Sequence, residues 1–399
     1  MFAESLQFPW MAGSPPPVSW AAANGRRLAR HGLAGPAPAG TDPAELARAV
    51  CGAHAQVLSA AEVSLALRIE GATGADVRRA LWEDRSLVKT YGPRGTVHLL
   101  ATRDLPLWTG ALSAIPAQSP FPEGVRLTPD QTDQVVGAIG TALADAELTV
   151  DELTEAVVDL AGPWAGERVM PAFQDLWPRW RQAVGTAAHR GVLCFGQNRG
   201  RRVTYTNPHR WLPGFAPAPE ADAVAGLLRR YLQAYGPATS RHFAQWIGAP
   251  PGWAADQFRK HRRELTEVEF EGGPAWVAAG DAEVPPAGEP ADGVLLLPYF
   301  DAFVVGSQPR DRLFPGRAAA RALAPSGQAG NYPVLLVGGE VAGVWHQRRS
   351  GRQVEITVEP LAPLPARRRA LEVQAGRIGE ILEARPRLVV GTVTVGAHA

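Results

Sequence analysis

The chain has 399 residues, more than a single hydrophobic core usually organises, so two to four domains are expected. Its 46% apolar and 20% charged residues are the composition of a globular protein, and no run approaches the eighteen or so apolar residues of a membrane span. A net charge of +1 does not advertise a polyanion partner, and Met1-Phe2-Ala3-Glu4-Ser5 lacks the basic and apolar regions of a secretory leader. Cys51 and Cys194, the only cysteines, do not make a disulfide framework, so a reducing, cytoplasmic setting is expected.

The basic residues are unusual in kind. Lysine occurs only at 89 and 260, so 38 of the 40 are arginine. Wealth in Ala, Pro, Gly and Arg also fits a high-GC genome, so clustering matters more than number. Arg199, Arg201 and Arg202 share one apparent loop; Arg310, Arg312 and Arg317 share a second; Arg348, Arg349 and Arg352 share a third. Such clusters can give a near-neutral chain one basic face.

In chain order, helices are expected at 17–32 and 43–53, the second capped by Thr41-Asp42-Pro43. Ser59-Ala60-Ala61-Glu62 reads as a capping box for a helix to about Ile69, followed by a short helix at 74–82. Strands 87–91 and 96–100 then flank the turn Gly92-Pro93-Arg94-Gly95. A second pass has helices at 128–144, from Thr149 to about Ala161, and over 170–190, with strands 192–195 and 203–205 flanking the loop Gly196 to Arg202. A third has helices near 219–235, 239–247 and 252–263 and strands 268–270 and 275–277.

Helices closed by a two-stranded hairpin form the winged-helix pattern. The expected fold is α+β: winged-helix domains at 1–118, 119–215 and 216–285, then a β-rich, barrel-like segment at 286–399 packed on the third. A Pro/Gly-rich gap at 283–293 introduces that segment, with strands at 294–297, 334–337, 341–345, 353–358 and 388–395 and a helix at 366–385.

His54 and Gln56 are the leading chemical pair. In an extended segment, residues two apart face one side and can converge on a water molecule. Imidazole titrates near neutrality, and a carboxamide both donates and accepts. The same pair could instead satisfy backbone groups where the helix 43–53 ends. Arginines at hairpin tips fit groove or phosphate contacts, or a solvated loop. Asp301 reads as a turn cap and His98 as a core or hydrogen-bonding residue. No spacing suits a metal, and no phosphate loop, dinucleotide fingerprint or Gly-x-Ser-x-Gly elbow occurs, so no cofactor is expected.

Gly52-Ala53-His54-Ala55-Gln56, Ser59-Ala60-Ala61-Glu62, Arg94 to Leu100, Leu297 to Gly306 and Pro333 to Gly339 resemble segments of the AlkZ-type DNA glycosylases, in the family's order over roughly 15–395. The resemblance implies tandem winged helices in a C-shape around double-stranded DNA. It also implies excision of N7-alkylated purines, including bulky adducts and, in some members, interstrand crosslinks. The best-known members carry Gln-x-Gln and another branch Gln-x-Asp; here His54 replaces the first Gln and Gln56 keeps the second. His-x-Gln resembles a subset linked to self-resistance in bacteria that make DNA-alkylating antibiotics. On this reading Gln56 positions the water, and His54 is its partner or base. Arg94, Arg199, Arg201, Arg202, Arg310, Arg312, Arg348, Arg349 and Arg352 bind DNA. The chain is expected to be a nucleoid-associated monomer with no membrane partner, because nothing resembles a dimerising coiled coil. The rival expectation is a non-catalytic winged-helix protein, either a transcription regulator or a binder that sequesters lesion or toxin.

Overall fold

The computed structural model describes residues 15–117, 119, 121–172, 175–281 and 293–396. The expected Pro/Gly-rich gap lies outside these, except for Gly293. The chain starts with β1 (Pro17–Val18) and α1 (Trp20–Arg30), whose cap Ser19 accepts a hydrogen bond from the Ala22 amide. Then follow α2 (Pro43–Ala49), β2 (Ala53–His54), α3 (Leu58–Ala66), α4 (Gly74–Trp82), β3 (Leu87–Tyr91) and β4 (Val97–Ala101). The sheet order is β2-β4-β3, so the strand between α2 and α3 pairs with the last strand of the hairpin.

The second pass repeats this order with one hairpin inserted. It runs α5 (Leu105–Ser113), α6 (Pro129–Leu143), β5 (Glu147–Thr149), α7 (Val150–Ala161), the hairpin β6 (Arg168–Pro171) and β7 (Leu176–Pro178), α8 (Val184–His189), β8 (Cys194–Phe195) and β9 (Thr204–Thr206). Its sheet is β5-β9-β8. The third has α9 (Glu220–Tyr235), α10 (Ser240–Ile247), α11 (Pro251–Lys260), β10 (Leu265–Phe270) and β11 (Gly273–Ala278). A single bridge from Ala238 to Trp276 stands in for its first strand, and β1 pairs parallel with the other edge of β10. The order helix, strand, helix, helix, hairpin occurs in the first pass; in the second the hairpin β6–β7 lies between α7 and α8, and in the third a single bridge replaces the strand.

The C-terminal segment contains β12 (Val294–Leu297), three short helices α12 (Ala302–Gly306), α13 (Arg310–Leu313) and α14 (Arg317–Ala322), then β13 (Val334–Val337), β14 (Glu340–Ser350), β15 (Gln353–Pro360), α15 (Arg368–Ile381) and β16 (Arg385–Val390). The five strands form one sheet in sequence order. The segment packs on the third pass, where Gly306 meets Tyr235, and also on the first. There its buried Leu296, Leu335, Ile356 and Ile378 share a core with Leu65, Ile69, Leu81 and Leu99. Arg377 caps the end of α3 by donating to the carbonyls of Ala66, Ile69 and Ala72 at 2.7–2.9 Å.

Four expectations are corrected. The helix over 170–190 is a hairpin, a 3₁₀ turn and the short α8 instead. Pro171 and Pro178 lack an amide donor and clash with the preceding turn, so they exclude a continuous helix. The helix expected to reach residue 53 stops at Ala49, because Cys51 and Gly52 take φ of 56° and 93° and turn the chain into β2. Ser59 does not cap α3, which begins at Leu58; Glu62 of the expected capping box instead accepts from Arg78 at 2.6 Å. The short helices α5, α12, α13 and α14 were not expected.

Candidate active site

β2 places His54 directly opposite His98 of β4 in the antiparallel register. Strand alternation and the left-handed turn at Cys51 and Gly52 aim the His54 ring into a cavity of about 390 Å³, within the roughly 300–1,000 Å³ of small-molecule sites. The walls come from far along the chain. Arg94 arrives from the first hairpin turn, His242, Gln245 and Trp246 from α10, Phe300 to Arg310 from the region of α12, and Ser326 to Ala329 from a loop.

The polar equipment is one-sided. Arg94 and Arg310 line the cavity, and among the described residues no carboxylate does. Burial lowers the pKa of both, that of Arg310 to about 10, which leaves both charged at neutral pH. Arg94 donates to the Trp246 carbonyl, and Arg310 to the carbonyls of Val304 and Ser307 at 2.5 and 2.8 Å. These neutral acceptors fix the side chains without cancelling their charge. Gln308 donates to the Gln245 side chain at 3.3 Å, so a carboxamide pair forms part of the wall.

The histidines are neutral. Burial, with the nearby Arg94, lowers the His54 pKa to about 4, and burial with neighbouring arginines lowers that of His242 to about 4. His98 is fully enclosed, is held well below its ordinary value by burial, and donates from Nδ1 to the Thr96 carbonyl at 2.9 Å. No group of three or more His, Cys, Asp or Glu among the described residues is placed to hold a metal ion.

The other sequence-derived candidates lie elsewhere. Gln56 follows β2 in a bend, exposed, and is not among the residues lining the cavity. Arg199, Arg201 and Arg202 are exposed on the second hairpin loop, with Arg199 paired to Glu152 at 3.0 Å. Arg312 pairs with Glu271 at 2.5 Å, away from its neighbour Arg310. Arg348, Arg349 and Arg352 are exposed around the β14–β15 turn, where Arg349 donates to the carbonyls of Gly351 and Leu382. Asp301 is the expected cap: it accepts from the Phe303 amide at 3.0 Å and from buried Arg68 at 2.9 Å. Sequence reasoning missed His242, Gln245, Gln308 and Phe300 as cavity residues. No local signal marks the first three; Phe300 was within a quoted segment but carried no role.

The sequence profile of the family described as DNA glycosylase AlkZ-like matches residues 47–381, which span the site and most of the fold. The chain belongs to this family. An interstrand DNA cross-link repair glycosylase from Streptomyces sahachiroi is 34% identical over 311 residues, covering 74% of this chain and 80% of the relative. The solved structure of Streptomyces sahachiroi DNA glycosylase AlkZ superposes with a TM-score of 0.78 at 27% identity, covering 94% of this chain and all of that one. This AlkZ-like protein is therefore a DNA repair glycosylase that acts on DNA. No helix among its described residues is long and apolar enough to cross a membrane.

Proposed function

We propose that this glycosylase is monofunctional and hydrolyses the N-glycosidic bond of bulky N7-alkylguanines in duplex DNA, interstrand crosslinks included. In this reading it protects its host from a DNA-alkylating natural product, works as a monomer at the nucleoid, and is built as three winged-helix domains with a C-terminal β-rich segment. The observation that carries the chemistry is the cavity: the neutral imidazoles of His54 and His242, carboxamides and two arginines, with no carboxylate and no lysine among its described lining residues.

N7 alkylation makes guanine cationic before it leaves. As the C1′–N9 bond breaks, its electron pair neutralises the base and the positive charge moves to the sugar. Charge migrates, so the enzyme need not protonate the leaving group, and a paired-carboxylate site is unnecessary. Water then bonds to C1′ and loses a proton to the His54 imidazole. Water bonded to an oxocarbenium carbon is strongly acidic, so even a weakly basic imidazole suffices. Without an amine in the cavity no Schiff base forms. Gln56, exposed in the bend that follows β2, orients the water or the sugar once DNA is bound.

Arg94 and Arg310 hold backbone phosphate at the cavity, and those phosphates also offset the charge arriving at C1′. The exposed arginines at 199, 201, 202, 348, 349 and 352, with Arg312, hold the flanking duplex. Support for the lesion class comes from the 34% identical relative named for cross-link repair, and support for self-resistance from the His-x-Gln signature.

The test is single-turnover base release from duplexes carrying N7-methylguanine, a bulky N7 monoadduct or a crosslink. His54→Ala should slow release from the bulky adduct by on the order of 10²-fold or more. Equal rates for parent and variant would remove His54 from the chemistry; failure of the parent on every N7 adduct would sink the substrate assignment.

A further inference from the structure

His54 lacks what usually orients a catalytic imidazole. In hydrolytic triads a third group hydrogen-bonds the base and fixes its ring. Here Nδ1 is buried without a hydrogen-bond partner among the described residues. The orientation must come from packing. Phe300 stacks on the imidazole with ring centres 4.5 Å apart and planes at 26°, and His98 meets it edge-on at 5.1 Å.

Phe300 occupies this place against its own backbone preference. Its φ is 52°, the left-handed region that bulky side chains avoid. The turn itself asks for a small residue there. Phe300 donates its amide to the Gly330 carbonyl at 3.1 Å, and the next residue, Asp301, caps α12. Opposite the ring, Gly330 has a φ of 101°, and a Cβ added there would come within 2.7 Å of the phenyl Cδ1. Two unusual backbone conformations thus meet where an aromatic ring is laid over an imidazole. Strain of this kind persists where the surrounding structure enforces it and clusters at working sites.

We infer that Phe300 is the positioning residue for His54: its ring replaces the missing hydrogen bond, fixes the imidazole plane toward the cavity and keeps water off one face. This rests on His54 being the working group of the reaction. Arg94, His98, Cys51 and Tyr235 also face the gap beside the imidazole, and His242 and Arg310 stand across the cavity. A change confined to Phe300 leaves all of these in place.

The experiment compares the parent with Phe300→Gly, Phe300→Tyr, His54→Ala and the double variant Phe300→Gly/His54→Ala. Single-turnover base release from an N7-alkylguanine duplex is followed from pH 4 to pH 8, beside affinity for undamaged duplex. Phe300→Gly suits the backbone. It is expected to bind DNA like the parent yet release base on the order of 10²-fold more slowly, the cost of a misplaced group. The acid limb of its pH–rate profile should move upward, because water reaches the imidazole. Phe300→Tyr should restore most of the rate and the original limb. The double variant should be no slower than His54→Ala alone, since the ring acts only through the imidazole. Should Phe300→Gly lose its thermal unfolding transition, Phe300→Leu carries the same comparison. A parental rate and acid limb in Phe300→Gly, with His54→Ala inactive, overturns the role of Phe300 alone. A fully active His54→Ala overturns the role of His54, and that of Phe300 with it.

Discussion

His54 and His98 stand opposite each other on neighbouring antiparallel strands with ring centres 5.1 Å apart, and both are neutral at physiological pH. Two imidazoles this close cannot both take up a proton cheaply, and the nearby Arg94 makes either protonation worse. A proton on either ring is therefore disfavoured by the other ring and by Arg94.

The first prediction concerns catalysis and pH. The mechanism proposed above needs neutral His54, whose pKa is lowered to about 4. Activity should stay level as pH falls through about 6.5, where an ordinary histidine titrates, and drop only as pH nears about 4. Base-release rates measured under single-turnover conditions check this; a fall centred near an unperturbed histidine pKa would contradict it.

The second concerns stability. His31 is lowered to about 3 by burial first and Arg68 second; His189 and His242 are each lowered to about 4, chiefly by burial. Unfolded, these side chains titrate near about 6.5. Between the two values the unfolded chain binds more protons, so stability falls as pH falls across that window and is fully present above it. The thermal midpoint should begin to drop below about pH 6.5, ahead of carboxylate protonation. A midpoint level down to about pH 4.5 would refute this.

The third concerns the ion pair between Arg68 and Asp301, both fully buried. Burial opposes the charged form of Asp301, but Arg68 and Ser64 overcome this and hold its pKa below the ordinary value. Asp301→Asn leaves the guanidinium without its counter-charge and should cost about 3–5 kcal/mol in denaturant unfolding. The double change Arg68→Met/Asp301→Leu should cost less than either single change. If Asp301→Asn unfolds at the parental denaturant concentration, the pair does not hold the C-terminal segment on α3.

The fourth concerns DNA affinity and salt. Arg201 and Arg202 are exposed and make no side-chain ion pair among the described residues, whereas Arg312 is engaged by Glu271. Arg201→Ala and Arg202→Ala should each weaken duplex binding and reduce the slope of log K against log salt by about 1. Arg312→Ala should change the slope less. Titrations at several salt concentrations decide; an unchanged slope in Arg201→Ala and Arg202→Ala would exclude that loop from phosphate contact.

Local chemistry was the legible part of the sequence. Asp42 caps α2 by accepting from the Ala44 amide, and Thr149 and Glu152 close the capping box of α7. Alternation and turn residues likewise pointed to hairpins at 87–100 and 268–277, where the strands run Leu87–Tyr91 with Val97–Ala101 and Leu265–Phe270 with Gly273–Ala278. Short helices were missed, α5, α13 and α14 having no side-chain cap and α12 only the Asp301 cap that reads as a turn, and at 170–190 amphipathic spacing masked the two prolines that break the helix. The candidate site was half visible. His54 stood out as a residue type beside Gln56, but its cavity is assembled from α10, the turn at Phe300 and a loop more than 270 residues away, and no spacing in the sequence encodes that meeting.

The cavity walls extend from His54 to Ala329 in the chain. During synthesis the imidazole therefore leaves the ribosome long before its enclosure. A half-made or clipped polypeptide carries His54 and Arg94 but has neither Phe300 nor Arg310 to complete the cavity. Abasic DNA is itself hazardous to a cell, and this order of assembly delays its production until the chain has been made at least to Ala329.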